Sequence, residues 1–291
     1  MSEVTAVEEV EGKQKSPLRG NVLGRFTPTG LLSMLFLAVV LILAFVVPLL
    51  PNTDPFAQQL GASLVAPFVD ATHVLGTDQL GRDILSRVAV ATRTSFLIGV
   101  GSVAISALLG LLLGLISGYR GGRLDNFLMA TADITLAIPT MLLLIVVVAA
   151  LGPDIWMLTI LLGIMNWVVF GRLVRSMVLS LREQDFVAAA RSAGGSAPWI
   201  IRKHLLRAVT PELLVTAGYQ LGIVITIESS LSYLGLGVPP PNPSLGLLIA
   251  EGQAYLQTSP HLVIAPATVA FLLIAGAQFL SQGVRAGNRR Q

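Results

Sequence analysis

Thr94–Tyr119 reads TSFLIGVGSVAISALLGLLLGLISGY, a stretch without a single charged side chain. At about 1.5 Å of rise per residue, a helix of this length exceeds the roughly 30 Å of a bilayer's hydrocarbon core. Gly110, Gly114 and Gly118 recur at four-residue spacing within it. That spacing puts small side chains on one face, where another helix can approach closely.

Comparable runs lie on both sides. Leu31–Leu50 is free of charge, and Phe127–Leu151 is apolar apart from Asp133, with a kink expected at Pro139. Ile155–Gly171 makes a shorter span that continues to about Ser176, Leu213–Tyr233 is interrupted by Glu228, and Leu262–Gln282 closes the series. The expectation is an all-α integral membrane protein of about six transmembrane helices.

Composition agrees. The chain is 54% hydrophobic and only 12% charged, against about 45–50% and about 25% in soluble domains. So little charge cannot cover a soluble surface of this size, and the surplus apolar surface must face lipid. There is no cysteine, which excludes disulfides, thiol nucleophiles, iron–sulfur clusters and thiolate metal sites. His73, His204 and His261 are too widely spaced for a zinc-binding helix face. The pI near 9.6 does not point to nucleic acid, because the basic residues flank apolar runs, where they fix membrane orientation.

With a cytoplasmic N-terminus, the inner segments are 1–28, 119–126, 177–210 and 283–291, and Arg172 and Arg175 sit at the inner end of the fourth span. Of the 19 Lys and Arg, only Arg82, Arg87 and Arg93 then fall outside. The positive-inside rule therefore places both termini in the cytoplasm. Residues 1–25 are polar, acidic and then basic, and read as a disordered tail.

Two connecting segments carry information. Leu181–Thr210, LREQDFVAAARSAGGSAPWIIRKHLLRAVT, reads as two short helices around a Gly194–Gly195 break, with Ser196 as cap of the second and Pro198 in its first turn. Thr210–Pro211–Glu212 reads as a helix start feeding the fifth span. An amphipathic hairpin of this kind suits docking to another protein, and on pattern alone also fits a helix lying on the lipid surface. Leu80–Val88 reads as an amphipathic helix, capped by Thr77 or Asp78, with Arg82, Asp83 and Arg87 on its polar face. The cluster PPPNP at Pro239–Pro243 marks a rigid loop before a short helix over Leu245–Leu256.

Leu181–Thr210 resembles the EAA loop of permease subunits in bacterial ABC importers, with Ala188, Ala189 and Ala190 as the triplet and Gly194 as the matching glycine. Two departures are visible, Ala188 in place of the usual Glu and Leu206–Arg207 in place of Leu-Pro. HVLGTDQLGRDILSR (His73–Arg87), GYRGGRLDNFLMATADITLAIP (Gly118–Pro139) and ESSLSYLGLGVPPPNPSLG (Glu228–Gly246) resemble blocks of the C-type permeases of the dipeptide, oligopeptide and nickel importer family. The blocks keep order and spacing over nearly everything after residue 25, with Leu245 standing where the family usually has Trp.

The resemblance implies a type I ABC importer permease fold in the bacterial cytoplasmic (inner) membrane. It divides the chain into a tail (1–25), a first transmembrane helix (29–50), an extracytoplasmic segment with the amphipathic helix (51–92), a five-helix permease core (93–282) carrying the cytoplasmic coupling loop 181–210, and a cytoplasmic C-terminal tail (283–291). It implies that this chain has no catalytic residues and binds no cofactor or metal, with ATP and Mg held by two separate ATP-binding subunits; no phosphate-binding GxxxxGK[ST] loop is present here. The other implied partners are a second, homologous permease and an extracytoplasmic substrate-binding protein, in a lipid bilayer and without nucleic acid. Asp185, Ala188, Ala189, Ala190, Gly194 and Ser196 are the expected coupling residues. Gly76, Thr77, Asp78, Gly81, Arg82 and Asp83 form the extracytoplasmic motif.

Asp133 and Glu228 are acids inside spans and so belong either to a translocation path or to the structure, in a pair or at interface depth. They are not expected to contact each other. Peptides are the implied cargo, with nickel complexes as the alternative. A self-sufficient secondary transporter would favour inverted repeats and ion-coordinating clusters, and none is evident. An intramembrane enzyme needs a nucleophile and base or metal ligands within the spans, and His261 and Ser281 near span ends have no evident partners.

Overall fold

The computed structural model describes residues 28–50 and 54–288. The expected tail at 1–25 lies outside the described residues. Ten α-helices make up the described part, with no strand among the described residues beyond an isolated bridge between Thr77 and Asp83. Five helices or helix runs are long and apolar enough to cross a membrane: Leu32–Leu49, Ile84–Arg120, Ile155–Leu181, Ala197–Tyr233 and His261–Gly283. A sixth span arises if α3 (Gly122–Ala137) and α4 (Thr140–Leu151), bent by 78° at a short break, count as one. The break follows from Pro139, which has no N–H and pushes Ile138 to an extended ψ of 122°.

The bundle is organised around α2 (Ile84–Arg120) and α5 (Ile155–Leu181), which run parallel and touch along their length. A Cβ on Gly110 would lie 2.7 Å from the Gly171 nitrogen, and one on Gly114 2.7 Å from the Gly171 oxygen. Lipid gives helices no hydrophobic reason to associate, so such close backbone packing supplies the attraction. Ser102 and Ser106 add hydroxyl donors to the carbonyls of Thr159 (2.9 Å) and Gly163 (2.8 Å), worth about 0.6–1 kcal/mol each. Leu158, Leu162, Phe170, Val174 and Val178 of α5 are almost wholly buried in this core. A second core joins α1 (Pro28–Val46), α2, α8 (Leu206–Tyr233), α9 (Leu245–Gln253) and α10 (His261–Asn288) through Val40, Ile84, Ile225, Leu245 and Leu273.

Several boundaries differ from the sequence expectation. No separate helix covers Leu80–Val88. Asp78 accepts from the amides of Leu80 and Arg82 in a turn, Gly81 has φ +72°, and Asp83 caps α2 by accepting from Ser86 N at 2.8 Å. The helix beginning at Ile84 runs without a break into the span, so the boundary expected at residue 93 falls inside α2. Thr210–Pro211–Glu212 does not start a helix either. α7 (Ala197–Ile200), a π turn (Ile201–Leu205) and α8 are continuous through Pro211, because Ile200, Leu205, Val209 and Leu213 keep one buried face across it. Ser196 occupies the N-cap position of α7 without a side-chain hydrogen bond. α9 ends at Gln253, short of Leu256. α10 continues to Asn288 rather than giving way to a tail at 283, and residues 289–291 are outside the described residues.

Gly114→Leu is expected to lower the thermal midpoint in mild detergent by the equivalent of about 1–3 kcal/mol or more. Gly61→Ala, where a Cβ meets nothing within 4 Å, should leave it unchanged. Equal midpoints for the two variants would show that the α2–α5 contact does not hold the bundle.

Candidate functional site

Two polar constellations sit at opposite ends of α2. Its C-terminal end meets the 181–210 segment, where Arg182 donates to the Gly118 carbonyl (3.0 Å) and the Arg191 guanidinium lies 5.4 Å from the Tyr119 ring centre. Its N-terminal end meets residues 54–83 and α9.

In the 181–210 segment, α6 (Asp185–Ser192) ends at Gly194, whose φ of +82° is a left-handed turn. The Gly194 and Gly195 amides donate to the carbonyls of Arg191 and Ala190, both at 2.9 Å, closing the helix as such glycine ends do. Val187 and Ile200 are completely buried in the main core. The segment is therefore folded back on the bundle and does not lie loosely on a surface. Its opposite side is open: Asp185, Ala188, Ala189, Gly194 and Ser196 are exposed, and Ala190 is half-buried. Phe186, Trp199 and His204 form an aromatic cluster beside it, with Lys203 Nζ 4.6 Å from the Trp199 ring centre. The result is a small-residue face held rigidly from behind.

At the other end, the motif residues are buried rather than solvent-facing. Asp78 accepts from Arg82 Nε (2.6 Å) and Arg87 (2.5 Å), and Arg87 also reaches Glu251 of α9 at 2.9 Å. The Arg87 and Asp78 side chains are 4% and 2% exposed, so the expected polar outer face is in fact a core. Burial of these charges is tolerable because two acids face two guanidiniums. His73 Nδ1 lies 3.2 Å from Asp83. Thr77 takes the Val65 amide at 2.9 Å and donates to the Ala62 carbonyl. Gly76 and Gly81 let backbone strands touch: a Cβ there would fall 2.3 Å from Val65 O and 1.8 Å from Gln59 O. At the exposed edge, the Thr72 amide holds the Asp70 carboxyl below the usual carboxylate range.

Asp133 and Glu228 part company. Glu228 is 1% exposed and accepts from Ser232 at 2.7 Å, with the Ser95 and Ser244 hydroxyls also facing it. It thus ties α8 to α2 and to the start of α9. Asp133 pairs with Arg172, and both side chains are open, at 70% and 46% exposure. The two acids are not brought together.

Sequence reasoning did not identify Glu251 as the partner of Arg82 and Arg87. It also missed a clasp in which Arg175 holds Asp125 through two nitrogens (2.5 and 2.7 Å) while Ser117 donates to the same carboxylate. Opposite charges near the ends of adjacent spans were the available signal. Among the described residues no cluster of three or more His, Cys, Asp or Glu could hold a metal ion.

Residues 110–285 match the sequence profile of binding-protein-dependent transport system inner membrane components. The chain is 34% identical to the probable D,D-dipeptide transport system permease protein of Escherichia coli K12, over 89% of this chain and 86% of that one. Identity to the oligopeptide transport system permease protein of Haemophilus influenzae is 37%, over 76% and 71%. Identity to the nickel transport system permease protein of E. coli K12 is 37%, over 80% and 83%. A chain of the MetNI methionine ABC transporter in an inward-facing conformation shares the fold, with TM-score 0.51 and 20% identity over 70% of this chain and 95% of that one.

Asp78→Ala is expected to cost about 3–5 kcal/mol by leaving buried guanidiniums under-compensated, seen as a fall in thermal midpoint in detergent. Glu251→Gln should cost less, since that side chain is 29% exposed. The reverse order would place the weight of the cluster on α9 instead.

Proposed function

This chain belongs to the binding-protein-dependent transport system inner membrane component family, and we propose that it is one permease subunit of an ATP-driven importer of di- or oligopeptides. The observation that carries the reading is similarity over most of the chain to permease proteins named for dipeptide and oligopeptide transport. A nickel permease at 37% identity makes nickel complexes the second cargo class.

In this reading the chain sits in the inner membrane with both termini cytoplasmic, supported by the distribution of Lys and Arg. It binds no cofactor itself, and ATP and Mg are held by two separate ATP-binding subunits. A second, homologous permease completes the pathway, and an extracytoplasmic binding protein delivers the cargo.

The exposed face of α6 is the joint with the ATPase. Ala188, Ala189 and Ala190 let a cleft close tightly over the helix, Asp185 and Ser196 flank it, and Gly194 fixes the turn that presents it. Because Val187 and Ile200 anchor this segment in the core, displacement of the joint moves packed helices as a body, the kind of two-state switch that drives alternating access. Gly76, Thr77, Asp78, Gly81, Arg82 and Asp83 are a buried scaffold that fixes α9 at the outer mouth. The Asp133–Arg172 pair lines the path: an open ion pair at span depth is costly against lipid and belongs beside water or a partner helix. Glu228 is structural.

Purification of the tagged chain in mild detergent is expected to recover a second multi-span permease together with ATP-binding proteins. Recovery of a folded chain alone would favour a self-sufficient transporter. Gly194→Val should leave insertion intact but abolish cargo-stimulated ATP hydrolysis in the assembled complex, because a β-branched residue at φ +82° costs about 1–3 kcal/mol. Normal stimulation in that variant would remove α6 as the joint.

A further inference from the structure

Beside the first turns of α10 lies an apolar groove of about 660 Å³. Leu64, Pro67, Phe68 and Leu75 form one wall, and Ile264 and Ala265 belong to the other. No Asp, Glu, Lys or Arg lines it among the described residues. The floor reaches Thr268 and Val269, two turns into a helix that starts at His261, or about 10 Å along the axis. The groove therefore straddles the end of a membrane span, His261–Gly283.

Its rim is unusual for a surface in water. Phe68 is 81% exposed and Val69 74% exposed, and Phe68 holds a φ of +64°. A bulky residue in the left-handed region is strained, and such strain persists only where the surroundings fix it. Here the backbone is held by the Phe68 amide donating to the Val74 carbonyl at 3.1 Å, while the ring stands exposed. The groove also continues into the flank of α10 that the rest of the bundle leaves bare. Ile264 is 58% exposed and Phe271, two turns further on the same face, 67% exposed.

We propose that this groove holds an acyl chain of a bilayer lipid, with Phe68 and Val69 as its rim in the headgroup boundary. The depth matches that at which interfacial apolar side chains settle. No Lys or Arg lies between residues 54 and 81, while Asp54, Asp70 and Asp78 do, so the site selects for chain burial and not for an anionic headgroup. The inference rests on the membrane spans and is independent of the importer reading.

The absence of native cysteine allows single nitroxide labels at Phe68→Cys, Thr268→Cys and, as an aqueous reference, Thr72→Cys. The full chain is reconstituted in phosphatidylcholine liposomes, with Val69→Cys as a second rim site should Phe68→Cys fail to insert. Collision with oxygen relative to a water-soluble nickel chelate is expected to be several-fold higher at the rim and floor labels than at Thr72→Cys. Addition of phosphatidylglycerol should leave that ratio unchanged. Rim and floor labels as accessible to the nickel chelate as Thr72→Cys would overturn the proposal, showing an aqueous groove. Labels shielded from both reagents would overturn it too, showing a protein surface over the groove.

Discussion

The bundle depends on the near-contact of two backbones, α2 and α5, at Gly110, Gly114 and Gly171. In a bilayer the apolar side chains are already among their own kind, so burying them against each other gains little. What distinguishes one helix arrangement from another is how closely backbones approach and whether polar groups find partners. Both are met along this seam, where glycines remove the spacers and Ser102 and Ser106 reach carbonyls across it. Around it, polar side chains do the joining. Glu228 is seated among serines from three helices or helix starts, and Arg175 holds Asp125 at the root of α3.

The two ends of the bundle solve different problems with similar materials. At the loop end, apolar residues of α6 and α7 are buried so that small residues on the reverse side stand open. At the opposite end, charges are buried so that a long irregular segment holds one shape. The Asp78–Arg82–Arg87–Glu251 cluster links that segment to α9, and Gly76 and Gly81 allow the backbone crossings it needs. A cluster with balanced charge and few exposed atoms tolerates little adjustment, which suits a scaffold better than a moving part.

Much of this was legible in the sequence. Charge-free runs gave the spans, the spacing of Gly110, Gly114 and Gly118 gave the close-packed face, and Gly194 gave the turn. Boundaries were less legible where two local rules competed. Thr210–Pro211 has the form of a helix start, yet the apolar face from Ile200 to Leu213 carries the helix through it. Arg82, Asp83 and Arg87 have the spacing of a solvated face, but periodicity cannot tell water from a buried acid supplied by a distant helix. Glu251 lies far along the chain from Arg87, and nothing local announces the pairing. Pro139 was read correctly as a disruption, while its size, a 78° bend, depends on tertiary packing.

α2 has mechanical consequences. It runs from the capped turn at Asp83 to Arg120 without interruption, about 55 Å at helical rise, which is nearly twice the thickness of a hydrocarbon core. Its glycine and serine contacts with α5 repeat turn after turn, so neither helix can roll on the other without losing several contacts together. The pair acts as a single stiff shaft. One end of that shaft is bonded to Arg182 and Arg191, and the other carries the charge cluster and, through Glu251, α9. A small tilt imposed at the loop end therefore appears as a larger sideways swing at the far end, with its size set by leverage and not by any chain of intermediate rearrangements.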